Sequence, residues 1–281
     1  MPALARRPLV RFGFFTHLVL AIGLDGSLET IARVPAQPAG LGFLPDGRVL
    51  VVAMRDRTVL CRKTDGSLDL HADLSALAPG FLNDMLVDGD GRGWVGNFGF
   101  DLYAGEPPRN TVLICVEPDG SAHVAAQDLC FPNGTVLTPD GKTMIVAETT
   151  ANRLSAFSVS GGQLGQRRTW AKFGEPPTAA DLSGTMGQII VGADGICLDA
   201  EGAVWIADAL HSRLLRVAEG GRILEELPVN GLGVFACMLG GEDGKTLFVC
   251  AAPSFHEEEC LAKRAACILT TRVEAPRAGW P

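Results

Sequence analysis

No basic run in the 281-residue chain exceeds Arg6-Arg7 or Lys263-Arg264, and the formal net charge is −8. Such a distribution leaves no electrostatic footprint for nucleic acid. None of the eight cysteines forms a Cys-x-x-Cys pair, which argues against a zinc knuckle or a thioredoxin-like centre. There is no Gly-x-Ser-x-Gly elbow for a serine nucleophile, no His-x-His or helical metal spacing among the five histidines, and no glycine-rich phosphate loop. No stretch reads as a transmembrane segment, so no membrane partner is expected. Residues 12–22 are apolar and follow Arg6-Arg7, but His17 interrupts them and a Leu24-Asp25-Gly26 turn follows. They read as two strands rather than as a leader. Cys115, Cys197 and Cys250 lie inside apolar runs and are expected to be reduced, buried thiols, which suits a cytoplasmic protein. His71, His123 and His211 fall near turns and are expected in solvent, whereas His17 and His256 fall nearer a strand end.

What the chain does have is turns and core: 34 glycines, 17 prolines and 47% hydrophobic residues. The turns repeat. Asp46-Gly47, Asp90-Gly91, Asp140-Gly141, Glu201-Gly202 and Asp243-Gly244 are each followed by an apolar strand, at 49–54, 93–96, 144–147, 204–207 and 247–251. Each is preceded by another, at 41–44, 85–87, 135–137, 196–198 and 237–239. Second turns follow at Asp65-Gly66, Asp119-Gly120, Gly161-Gly162 and Gly220-Gly221. An acidic residue followed by Gly between apolar runs signals a hairpin, because glycine accepts the positive φ of a tight turn. Two hairpins per unit predict an all-β, six-bladed β-propeller of four-stranded antiparallel blades, as one domain over residues 1–281. A β-sandwich would not explain such regular paired turns. Asp25-Gly26 supplies only the second half of a sixth unit, so the first blade is atypical or incomplete. The natural closure is the C-terminal strand at 267–273 pairing with the N-terminal strands, which would remove an open edge.

Counting back seven residues from each first-turn acid gives Ala39, Asn83, Asn133, Asp194 and Ala236. Each opens the innermost strand of its unit, so all five should ring one mouth of a central channel. Asn83, Asn133 and Asp194 fall in consecutive units. Strand-end Asn and Asp often only satisfy backbone groups. Three oxygens at one register instead suit a hard divalent cation (Ca, Zn, Mg or Mn) with water in the remaining positions.

Residues 40–47 (Gly-Leu-Gly-Phe-Leu-Pro-Asp-Gly), 131–142 (Phe-Pro-Asn-Gly-Thr-Val-Leu-Thr-Pro-Asp-Gly-Lys) and 193–208 (Ala-Asp-Gly-Ile-Cys-Leu-Asp-Ala-Glu-Gly-Ala-Val-Trp-Ile-Ala-Asp) resemble the gluconolactonase / senescence-marker-protein / luciferin-regenerating-enzyme-like family, also called regucalcin-like. The resemblance runs from about Val19 to the C-terminus. It implies a six-bladed propeller, usually a lactone hydrolase with one divalent metal in the central channel. By motif, Asn133 and Asp194 match metal ligands, and Asn83, in Asn83-Asp84, matches a residue beside the metal that contacts substrate or a metal-bound water. The family's N-terminal Glu-Gly-Pro segment, whose Glu is the third protein ligand, is absent from this sequence. Glu148 and Asp208 are expected below the mouth and are poor replacements.

Lactone hydrolysis needs a polarised carbonyl, a water nucleophile and a base. The resemblance assigns Asp194 to base or water-positioning duty, with Asp84 assisting and Asn83 and Asn133 orienting substrate. Two long connections, 98–110 and 172–192, are expected to shape the entrance, with Phe100, Tyr103 and Met186 as an apolar lid over a small-molecule substrate. The missing Glu leaves two alternatives: metal-independent chemistry on the same scaffold, or a propeller that only binds a small ligand.

Overall fold

A computed structural model describes residues 9–23 and 25–279. Among them the strands form six antiparallel sheets. Sheet 1 (strands Leu9–Gly13, Leu18–Ile22, Leu28–Arg33) has three strands. Sheets 2 (Pro38–Phe43 to Leu68–Asp73), 3 (Leu82–Val87 to Ala122–Leu129) and 5 (Ala193–Leu198 to Ile223–Pro228) have four. Sheet 4 (Pro132–Leu137 to Arg168–Lys172) has five, and sheet 6 (Gly233–Gly240, Thr246–Ala252, Cys267–Arg272) has three. This is a propeller of antiparallel blades. Two short helices interrupt it, α1 at Leu182–Gly187 and α2 at Glu257–Lys263. Among the described residues no helix is long and apolar enough to cross a membrane.

The hairpins form for the reason the turns suggest. At the first turn of sheet 2, Gly47 donates to the Leu44 carbonyl and sits at φ +88°, a left-handed conformation that a Cβ would strain. Asp46 accepts from the Arg48 N–H at 3.0 Å and closes the loop locally. The second strands Val49–Ala53, Gly93–Asn97 and Val204–Asp208 are buried on both faces, because each lies between sheets on either side. Apolar clusters fill the successive gaps between sheets 1 and 2, 2 and 3, 3 and 4, 4 and 5, and 5 and 6.

The inner strands of sheets 2 to 6 pack in sequence around the axis. Sheet 1 differs. Its turn at 14–17 ends on His17 at φ 59°, matching Arg57 (55°), Asn152 (53°) and Ser212 (51°), which join second to third strands in sheets 2, 4 and 5. Leu9–Gly13 therefore holds a second-strand place and packs on Pro38–Phe43 as the other second strands pack on the next inner strand. No described strand takes the inner place of sheet 1. Among the described residues the N-terminal unit is thus incomplete, and 12–22 does supply parts of two strands.

Closure differs from expectation. Cys267–Arg272 pairs with Thr246–Ala252 as the third strand of sheet 6 and not with any described N-terminal strand. The long excursion at 253–266 brings it back beside its own sheet. Across the seam, α2 lies against the 14–16 turn, and Arg55 of sheet 2 approaches Glu257 at 3.7 Å. Thr246–Ala252 alternates between buried and half-buried positions, since only one of its faces is fully covered. That is why Cys250 is half-buried rather than fully buried, while Cys115 and Cys197 are buried and none of the eight cysteines forms a disulfide.

Candidate functional site

The inner strands of sheets 2 to 5 share one irregularity. In sheet 3, Leu82 pairs with Asn97 and Met85 with Val95, so Asn83 and Asp84 together face one residue. The same bulge occurs at Ala39-Gly40, Asn133-Gly134 and Asp194-Gly195. A β-bulge re-aims side chains and is common beside sites. It sets Ala39, Asn83, Asn133 and Asp194 at equivalent places near the start of their strands. In sheet 6 one extra residue precedes Asp243, and the irregularity falls between Val234 and Ala236. Phe235 therefore takes the place that counting assigns to Ala236.

Asn133 is 4% exposed and donates through Nδ2 to Thr149 Oγ1 at 3.1 Å. Thr149 Oγ1 in turn donates to the Ala193 carbonyl at 2.7 Å, tying Asn133 to the strand that carries Asp194. Burial drives the Asp194 carboxyl up to about 8 and repulsion from Asp84 adds to it, against the Asn133 side chain and the Gly195 N–H. Burial lifts Asp84 to about 6, opposed by the Met85 N–H that donates to its Oδ1 at 2.9 Å. No basic side chain figures among the groups acting on either carboxyl. The Asn83 Nδ2 is buried with no protein partner. Two half-buried acids and two amides, one of them with an unpartnered nitrogen, make an oxygen-rich site on which no basic side chain acts. That donor chemistry fits a hard divalent cation.

Other residues of interest fall elsewhere. Glu148 and Asp208 end second strands at the same end of the ring, not below it, since they pair with Pro132 and Ala193. Their carboxylates are taken: Glu148 accepts from Arg153 at 2.8 Å through each oxygen, and Asp208 from Arg213 at 2.9 Å. Phe100 is 1% exposed and meets Phe131 edge-on, so it belongs to the core between sheets 2 and 3 rather than to a lid surface. Tyr103 is 38% exposed, with the Arg55 guanidinium 5.3 Å from its ring and 5.4 Å from Phe81. Burial pushes its hydroxyl well above the ordinary range. Met186 lies half-buried on α1, whose Leu182 packs on the same core cluster.

Two features of this end carry no sequence signal as strong as the turns. One is α2, a third cover element. The other is Asn152, fully buried, which donates to the Glu175 and Gln188 carbonyls at 3.0 Å and accepts from Ile190 N–H at 2.7 Å. It pins the 173–192 connection. His71 and His123 depart from expectation, since their Nε2 atoms are buried without partners, whereas His211 is exposed as expected and also bonds Asp208.

Residues 18–253 match the family model of the SMP-30/Gluconolactonase/LRE-like region. The chain belongs to that family. It is 26% identical over 268 residues to the 6-deoxy-6-sulfogluconolactonase of Pseudomonas putida, covering 92% of this chain and 84% of that one. It is 25% identical over 185 residues to the regucalcin of Danio rerio, a match spanning 65% of this chain and 58% of that relative. Among solved structures, a calcium-binding regucalcin of Agrobacterium tumefaciens superposes with a TM-score of 0.75 at 22% identity, over 96% of this chain and 87% of the other. A gluconolactonase of Xanthomonas campestris does so with 0.68 at 22% identity, over 88% and 80%. At that identity the superpositions establish the propeller fold.

Proposed function

We propose that this family member hydrolyses a lactone or related cyclic ester in the central channel of a six-bladed propeller, using one divalent cation held by Asp194, Asn133 and Asn83. The observation that carries this reading is the Asp194–Asn133–Asp84 group on adjacent inner strands, whose carboxyls are lifted by burial, that of Asp194 also by repulsion from Asp84. The name of the Pseudomonas relative, a sugar-derived lactonase, supports the substrate class. Asp84 supplies a second carboxyl even though no described strand offers the family's N-terminal Glu.

When bound, the cation supplies Lewis acidity toward a carbonyl and lowers the pKa of a water. Asp194, held by Asn133 and the Gly195 N–H, anchors that charge and orients the water. Asp84, lifted by burial to about 6 in the cation-free protein, is the carboxyl to take the water's proton and return one to the ring oxygen that leaves. The Asn83 amide, with no protein partner, is free to bond a substrate oxygen. Tyr103 and Met186, on the two connections, bound the entrance.

The test is a pH-stat assay of gluconolactone and sulfonated and alkyl-substituted lactones, with and without Ca, Zn, Mg or Mn. Cation-dependent turnover is expected, with Asp194→Asn losing about 100-fold or more. Rates no faster than spontaneous opening across that panel, or an undiminished Asp194→Asn, overturn the reading.

A further inference from the structure

Sheet 3 holds a second cluster, on its third and fourth strands and away from the inner strands. Cys115 lies on Thr111–Val116 and His123 on Ala122–Leu129, and the two residues are direct cross-strand partners. Glu117 follows Cys115 by two, so it leaves the sheet on the same face. One ligand atom from each of the three lies within 4.8 Å of the others. The Cys115 Sγ is 4.0 Å from Glu117 Oε1. Cys115 is fully buried, while Glu117 and His123 are half-buried, so the cluster is closed on the core side and reachable from outside.

Three details distinguish this group from an ordinary polar contact. His123 Nε2 is buried and bonds nothing, a cost that a native structure normally avoids. Glu117 is oriented from behind: its Oε2 accepts from Arg92 Nε at 3.1 Å, which leaves Oε1 toward the sulfur. Arg92 is itself fixed by Asp90 at 2.7 Å and backed by Asp88 at 3.8 Å. A carboxylate whose second oxygen is held by an outer partner is how metal ligands are commonly oriented. The donors are one thiol, one imidazole and one carboxylate. That mixture suits borderline or soft divalent ions and not calcium or magnesium.

We propose that Cys115, Glu117 and His123 form a site for a divalent transition metal of the zinc class, separate from the inner-strand site. Three protein ligands leave one position of a tetrahedral ion for water. The ion ties the outer strand of sheet 3 to its neighbour. Binding replaces the thiol proton: the S–H bond breaks, the sulfur lone pair goes to the metal, and one proton leaves to solvent. Because binding releases that proton, affinity rises with pH.

The probe is Co²⁺ in the full chain, read by its thiolate charge-transfer absorption, followed by Zn²⁺ competition and elemental analysis. The parent should show the thiolate band, and so should Asp194→Asn, in which the inner-strand site is disabled. Cys115→Ser should abolish the band. His123→Gln, at a half-exposed position with little folding risk, should weaken Zn²⁺ binding about 10-fold or more. No thiolate band in the parent overturns the proposal. So does a band that survives Cys115→Ser, since another of the eight cysteines would then hold the ion. An unchanged Zn²⁺ affinity in His123→Gln, or loss of the band in Asp194→Asn, does so as well. None of these outcomes depends on whether the chain hydrolyses lactones.

Discussion

Asp194→Asn should stabilise the metal-free protein, and increasingly so as pH rises. The Asp194 carboxyl is lifted from 3.8 to about 8 by burial and by Asp84. Between those values the folded chain holds a proton that the unfolded chain has released, so stability must fall with rising pH until the folded group ionises. The difference between those two values corresponds to at most about 5.5 kcal/mol. Partial exposure of the carboxyl and relaxation around it reduce this, and a loss of about 2–4 kcal/mol across the range is expected. Asparagine keeps the shape and cannot ionise, so the variant should lack that slope. The assay is urea unfolding of both proteins in a chelator at about pH 5, pH 6.5 and pH 8.5, comparing the two slopes of stability against pH. Parallel slopes would refute the argument. Saturating divalent cation should flatten the parent's slope, because the ion favours the carboxylate that burial disfavours.

Three further substitutions separate the roles of residues on and beneath the two connections. Asn152→Ala removes three bonds to the 173–192 connection and should cost on the order of 3 kcal/mol, with new proteolytic cleavage confined to that segment. Cleavage spread over the whole chain would instead mean global unfolding. Phe100→Ala should lower stability by about 3–5 kcal/mol as a core truncation while leaving KM within a few-fold, whereas Tyr103→Ala should raise KM with little change in melting temperature.

The acid–glycine turns were readable because a tight hairpin requires one residue with positive φ, and Gly47 and its counterparts supply it. Asn83, Asn133 and Asp194 could be aligned by counting because the bulge falls at the same distance from the turn in sheets 3 to 5. Counting failed in sheet 6, where one extra strand residue between the irregularity and the turn moves the register onto Phe235. The pairing of Cys267–Arg272 escaped notice because a return after a long excursion has no local signal. The Cys115–His123 contact was hidden for a related reason: it depends on the register of two outer strands that contains bulges of its own. Asn152 looks like any turn asparagine, and only the distant loop it holds reveals its weight.

Glycine governs where on the ring a carboxylate can be installed. A Cβ on Gly40 would come within 2.4 Å of the Met85 nitrogen, on Gly134 within 2.5 Å of the Asp194 carbonyl oxygen, and on Gly195 within 2.7 Å of the Ala236 Cα. Those neighbours are backbone and cannot swing aside. At the same second bulge place, sheet 3 alone of these four carries a side chain, Asp84. The site therefore cannot be walked round the wheel by grafting its acid pair onto another unit. Each such graft would wedge two sheets apart before any chemistry could be tested, which leaves one sector of a nearly symmetric scaffold open to change.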